Sequence, residues 1–279
     1  MAQGGTHVSV VLISRGTMSG GRALAACLSE RLGLRAVSRE DLVALVDAHG
    51  EVAKKVLESL NQATRAYEQF SRLRRSYLIL MRSALLEFVR CGNVVYHGHA
   101  GHLLLPHLAC CLRVRITTTK ERRVDNAMKR LSLSREEARE AVLREDEDRV
   151  RWARFVYGCD IRDPHLYDAW FCQDRLSIPG ICNMIAGALQ EKEFQPTPES
   201  AQAMSNLFLA TAVEAALVSD PRTYTFEVGA SARGGLVVLE GPYMEGAQLD
   251  AVVETARSIE GVISVDYQPG CPSSMEFTF

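Results

Sequence analysis

VSVVLI (Val8–Ile13) running into SRGTMSGGR (Ser14–Arg22) is the stretch on which the reading of this chain turns. A short, β-branched, apolar run predicts a strand buried on both faces. The glycine-bearing turn that follows must re-aim the chain at once, and a helix to about Leu32 takes over. Strand, glycine-rich turn and helix together make an anion cradle: glycines let backbone N–H groups approach a phosphate, and the helix N-terminus adds a favourable dipole. Ser19, Gly20, Gly21 and Arg22 are placed for that role, with Ser14, Arg15 and Thr17 at the loop's entry. A tight strand-to-helix turn that binds nothing has the same sequence grammar.

Downstream, strands and helices alternate. Gly33 ends the first helix, Ala36–Val37 reads as a brief strand, and Ser38 with Asp41 reads as a capping box. From Arg65 to Arg90, Tyr67, Phe70, Leu73, Tyr77, Leu80, Ala84 and Phe88 recur at helical spacing. Such a helix packs either in a core or at a homodimer seam. Asn93–Tyr96 and Leu112–Ile116 are the next strands, with a short helix between them, and Ala169–Cys172 is the last. The pattern predicts an α/β, doubly wound parallel sheet. Thr119–Leu131 and Glu136–Tyr157 are highly charged helices of mixed sign, the second opened by a Ser134/Glu137 capping box, and they suit a solvated helical lid.

EKEFQPTP (Glu191–Pro198) reads as a linker, with Thr197 as N-cap and Pro198 at the first helical position. It divides the chain into domains of residues 1–190 and 199–279. The tail changes grammar: a helix to about Val218, strands near Tyr224–Val228 and Leu236–Glu240, a helix Ala247–Ile259, then strands near Val262–Tyr267 and Met275–Phe279. This predicts a small C-terminal α+β domain.

Bulk composition excludes broad classes. The 279 residues are 47% hydrophobic, and Lys plus Arg (32) nearly balance Asp plus Glu (34), so no general attraction to nucleic acid or an anionic membrane is expected. Any anion site must be local. Eight cysteines without a C-x-x-C pair, most in apolar runs, point to a reducing, cytoplasmic setting. No leader pattern or spanning apolar stretch is read from the sequence.

Within the charged helices, Asp146 and Arg149 lie three apart on one face, with Arg154 and Arg122 near enough to complete a phosphate clamp. A solvated charged face accounts for each singly. His97-Gly98-His99-Ala100-Gly101-His102 invites a metal reading, yet no metal site is assigned, and Cys110–Cys111 reads as core.

SRGTMSGGRALA, LGLRAVSREDL, NVVYHGHAGHLLL, DEDRVRWARFVYGCDIRDPHLYDAWF and LSIPGICNMI together resemble the cytidylate-kinase-like family of P-loop proteins, from about Val8 to Leu189. The resemblance implies a P-loop NTPase-type sheet and phosphoryl transfer from ATP, with Mg²⁺, to a nucleoside monophosphate such as CMP. It works through positioning and charge neutralisation. It implies that Ser19 to Arg22 hold donor phosphates, that Arg122, Arg149 and Arg154 neutralise transferring oxygens, that Asp146 orients an arginine or the acceptor base, and that His97 and His99 contact phosphate or base. Asp160 and Asp163 fix the lid's end. A full P-loop reads G-x-x-x-x-G-K-[ST]; here Arg15 occupies the first glycine, Gly21 the lysine and Arg22 the hydroxyl position. Met18 stands where relatives usually have glycine and Ala23 where they often have an acid. Arg22 is the expected replacement cation, and Ser19 or Thr17 the hydroxyl for a metal. A nucleotide sensor without turnover is the alternative, and a purely structural interaction protein a third. The tail, with its ARGGLVVLEGPY hairpin and terminal GVISV, resembles the BON domain, which implies a protein or lipid partner for that module.

Overall fold

The computed structural model describes residues 9–48, 50, 54, 67–105, 108 and 110–270. They form two compact units: the described residues of Met1–Arg39 and Phe88–Pro196 make one, those of Glu40–Glu87 and Thr197–Thr278 the other. This departs from a single cut at the linker, because residues 40–87 cluster with the C-terminal segment.

The first unit is built on a five-stranded parallel sheet in the order β2-β3-β1-β4-β5. Its strands are β1 (Val10–Arg15), β2 (Arg35–Ser38), β3 (Val94–Gly98), β4 (Cys111–Thr117) and β5 (Ala169–Cys172). β1 is central: Val10 pairs with Val94 on one side and Cys111 on the other. From it the chain winds outward in two directions. Four apolar residues in a row, Val10–Ile13, are at most 1% exposed, as a strand covered on both faces requires. One face is covered by α1 (Gly21–Leu32) and Ile178–Ala188, whose Leu24, Leu28, Ile181 and Ile185 pack on Val11, Ile13, Val95 and Val114.

Helix α2 (Arg39–Ala48) starts directly after Ser38, and α3 spans Tyr67–Arg90. The helix start expected at Arg65 lies outside the described residues. From Ser76 to Leu86, α3 is buried nearly all round, Arg82 being half-exposed. The charged helices α4 (Lys120–Leu131) and α5 (Arg135–Tyr157) pair through a small core of Val124, Ala127, Ala138 and Val142. α5 carries the expected capping box, the Ser134 hydroxyl accepting from the Glu137 N–H. The helix Ile178–Ala188 is α6.

The second unit contains a three-stranded sheet, β6-β7-β8, fed by α7 (Pro198–Ser219) and α8 (Ala247–Arg257). β6 (Gly229–Arg233) and β7 (Leu236–Gly241) are antiparallel, joined by Gly234 and Gly235. Both glycines have positive φ, as a two-residue hairpin turn with the native strand twist demands. β8 (Ser264–Pro269) returns parallel to β7 after α8. Thr197 caps α7 and Pro198 opens it, as its sequence predicts. The stretch Lys192–Ser219 is apolar and long enough to cross a membrane by length and composition, but its Leu209, Val213 and Leu217 form this unit's core with Leu239 and Val252.

Tyr224–Val228 is not a strand: the N–H groups of Thr223 and Tyr224 donate to the Asp220 carbonyl, and that of Phe226 to Thr223, so the chain turns here and pairing begins at Gly229. Met275–Phe279 lies outside the described residues. Residues 40–87 join this unit through a buried ion pair. Arg75 Nη2 donates to the Val228 carbonyl (2.5 Å) and lies 3.7 Å from Glu214, whose Oε1 accepts from the Ala230 N–H. Burial pulls the Arg75 pKa down, against the carboxylates of Glu214 and Glu227. Removing one member strands a buried charge. Glu214→Leu is therefore expected to lower the unfolding free energy by about 3 kcal/mol in a urea titration, whereas Glu214→Gln, which keeps an acceptor for Ala230, loses less.

Candidate functional site

β1, β3 and β4 end together at the carboxyl edge of the sheet, where open parallel sheets place ligands. The β1 loop is held there by backbone bonds: the Gly16 N–H donates to the Ile116 carbonyl (3.1 Å), and the Ser19 N–H returns to Gly16 (3.2 Å). Met18 and Gly20 take left-handed conformations, φ 58° and 81°. At Gly20 the positive φ is what favours glycine, and a Cβ there would meet the mobile end of Gln173 at 2.9 Å. Met18 accepts that conformation because it packs against the lid core, and its carbonyl accepts from Asn126. α1 begins at Gly21 with no side-chain cap, so the first-turn N–H groups have no helical acceptor.

The loop opens on a cleft of about 630 Å³. Its floor is Arg15, Gly16 and Ser19 with Arg115, Thr117 and Thr118 from the end of β4; α4 and α5 form its wall, and Ile161, Arg162 and Trp170 its rim. Seven arginines line it (15, 115, 123, 149, 151, 154 and 162) against two carboxylates, Asp146 and Glu147. Lining of that composition selects a polyanion.

Residues 10–175 match the model of the cytidylate kinase-like family. The chain belongs to that family. No curated protein matches the sequence. Among solved structures, an uncharacterized protein from Eubacterium ventriosum is 14% identical, with a TM-score of 0.52, over 66% of this chain and 99% of that one. Shikimate kinase from Bacteroides thetaiotaomicron (12% identity, TM-score 0.39, 66% and 99% covered) and dephospho-CoA kinase from Campylobacter jejuni (10%, 0.32, 65% and 97%) also match. At such identity the first shows the fold alone.

In this cytidylate kinase-like chain the expected site residues divide sharply. Arg149 and Arg154 line the cleft. Arg149 pairs with Glu145 one turn earlier and donates to the Arg15 carbonyl (3.2 Å), tying lid to loop. Arg154 shares Asp160 with Arg162, and these guanidiniums hold that carboxyl well below the usual range. Asp163 caps the short turn that follows, accepting from the His165 N–H. Both acids thus fix the lid's end.

Asp146 also lines the cleft, but its partner is Arg123 (2.6 Å). Arg122, the neighbour expected from sequence, faces away and donates to the carbonyls of Gln173 and Asp174. Helical spacing decides this: Arg123 is four residues before the buried Ala127 and turns inward, while Arg122 does not. Arg22 is exposed and outside the lining, so it is not the cation of this cleft. Ser14 is buried beneath the loop, its hydroxyl accepting from Arg115 Nη1 (3.1 Å) and lying 3.2 Å from the Tyr167 hydroxyl.

His97 and His99 are half-buried and do not line the cleft. Their glycines serve Tyr96: a Cβ on Gly101 would lie 1.9 Å from that ring, and one on Gly98 2.3 Å from its hydroxyl. His102 is buried with its ring centroid 4.5 Å from that of Tyr167. Among the described residues, no three His, Cys, Asp or Glu side chains converge on a metal position. Cys110 and Cys111 are buried at the start of β4. Neither Arg115 nor Trp170 is singled out from sequence; the signal available was the pair of arginines, Arg113 and Arg115, alternating with apolar residues in the strand CLRVRIT.

Burial, then the positive charge of Arg149, pushes the His99 pKa down to about 3, and burial followed by Arg115 lowers that of His102. Between pH 6.5 and about 3 the unfolded chain binds protons that the folded chain refuses, so stability rises with pH across that window and is lost as pH falls below 6.5. The melting temperature is expected to fall between pH 7 and 5, where the depressed carboxyls of Asp160 and Asp174 do not titrate. In a His99→Asn variant this fall is shallower.

Proposed function

We propose that this chain is an ATP-dependent, nucleotide-kinase-like phosphotransferase, acting on a nucleoside monophosphate of the cytidylate class. The observation that carries the reading is the juxtaposition of the β1 loop, with its unsatisfied first-turn N–H groups, and a cleft lined by seven arginines. Donor phosphates sit over Ser19, Gly20 and Gly21. Arg123, Arg149 and Arg154 project from the lid toward the transferring oxygens, where fixed cations lower the barrier by opposing developing charge. Arg149 gains most from the geometry, because its bond to the Arg15 carbonyl holds it over the loop.

The residues suit the phosphates better than they suit a protein-held metal. Thr17 Oγ1 is fully buried with no hydrogen-bond partner, and Ser19 Oγ makes one long contact, 3.4 Å, to the Thr17 carbonyl. Ser19 lines the cleft and is the hydroxyl left for Mg²⁺ arriving with the triphosphate. When bound, the ion neutralises and orients phosphate oxygens.

Gly21 in place of lysine and Ala23 in place of an acid favour a second reading: a nucleotide sensor that has lost turnover. In both readings the C-terminal segment is a binding or regulatory module, and its α7-β6-β7-α8-β8 order supports the BON-like assignment. Its ligand is a protein or lipid partner.

Purified full-length protein with Mg²⁺-ATP and a panel of nucleoside monophosphates is expected to form diphosphate. Arg149→Ala is expected to lower that rate by about 10²- to 10³-fold, the loss typical of removing one transition-state charge donor. Ligand-induced stabilisation without turnover establishes the sensor. Neither turnover nor stabilisation sinks both.

A further inference from the structure

We infer that Arg15 is the phosphate-binding cation of the loop, standing in for the absent lysine, and that Gly21 is the vacancy that admits it. The inference rests on the nucleotide-binding reading above and names the residue on which that reading most depends. Of the chain's three departures from the P-loop pattern, two lie six residues apart: arginine at the first glycine and glycine at the lysine. Taken separately, the first crowds the loop and the second strips it of its charge. The structure makes them one exchange.

A Cβ built on Gly21 would lie 2.8 Å from Arg15 Cδ, 2.9 Å from its Cβ and 3.3 Å from its Cγ. The aliphatic stem of Arg15 therefore runs across the Cα of Gly21, through space that any side chain at the lysine position would need. Lysine at 21 and arginine at 15 exclude each other. Gly21 has no positive φ to explain it, so steric clearance is its reason for being glycine.

Arg15 lines the cleft and Arg22 does not. Several arginines of the cleft are held by partners. Arg115 is bonded to Ser14 and Tyr167, Arg123 to Asp146, and Arg149 to Glu145. The backbone of Arg15 is fixed on two sides: it is the last residue of β1 in register with Ile116, and its carbonyl accepts from Arg149. An arginine so anchored presents a planar fork that meets phosphate oxygens bidentately, and it stays charged at every working pH, whereas lysine presents a point charge.

The test is nucleotide binding by the full-length protein, measured by calorimetry and thermal shift with ATP and with inorganic tripolyphosphate, alongside melting temperatures of the unliganded variants. Wild type is expected to bind both anions. Arg15→Ala is expected to lose tenfold or more in affinity for each, and Arg15→Lys to lose less. Gly21→Lys alone is expected to bind poorly, because its side chain collides with the arginine stem. The double exchange Arg15→Gly with Gly21→Lys restores the ordinary first glycine and lysine and is expected to recover affinity to within about threefold of wild type, a difference under 1 kcal/mol. Wild-type affinity in Arg15→Ala, or no recovery in a folded double variant, overturns the assignment while leaving the kinase-like reading intact. Failure of wild type to bind either anion removes that reading, and this inference with it.

Discussion

A buried guanidinium underlies the cleft. Arg115 is 6% exposed on β4, between Ser14 of β1 and Trp170 of β5, and burying its charge is tolerable because Nη1 is hydrogen-bonded and the guanidinium lies against two aromatic rings. Nη1 reaches Ser14 at the end of β1 and the Tyr167 hydroxyl, and that hydroxyl in turn donates to the Ile161 carbonyl (2.7 Å). The guanidinium carbon also lies 5.5 Å and 5.0 Å from the ring centroids of Tyr167 and Trp170. One side chain thus ties the last turn of β1 to β4 and to the segment entering β5. The loop above is positioned by this floor as much as by its own glycines.

The lid answers a different electrostatic problem. Seven guanidiniums around one cleft repel one another, and the chain holds them apart by giving several a carboxylate just outside or at the wall: Asp146 for Arg123, Glu145 for Arg149, Asp160 for Arg154 and Arg162. Such pairs contribute little to stability where they are exposed. Their effect is orientation: each arginine is aimed before an anion arrives, so less side-chain entropy is lost on binding. Burial, reinforced by the positive charge of Arg149, keeps His99 neutral.

The strand-turn-helix at Val10–Leu32 was legible because its signals are local: an apolar run, glycines and a helix period. The same holds for the capping box at Ser134 and the N-cap at Thr197, since such caps are written within three residues of sequence. Hairpin glycines 234 and 235 belong with them. Less legible was any choice among equivalent side chains. Arg122 and Arg123 are adjacent, and the sequence favours neither until the face of α4 that packs on α5 is known. Tyr224–Val228 has strand composition, yet Asp220 captures its first N–H groups in a turn.

By itself the sequence determined the alternation of parallel strands and helices, the glycine-bearing turn after β1, a pair of charged helices and a separate C-terminal grammar, because each is written in contiguous residues. Only the tertiary structure decided that residues 40–87 assemble with the C-terminal segment through Arg75 and Glu214, and which arginines face the cleft. It also decided that Arg15 and Gly21 occupy one another's space. Those are facts about distances between residues that periodicity does not connect, and burial and exclusion act on distances.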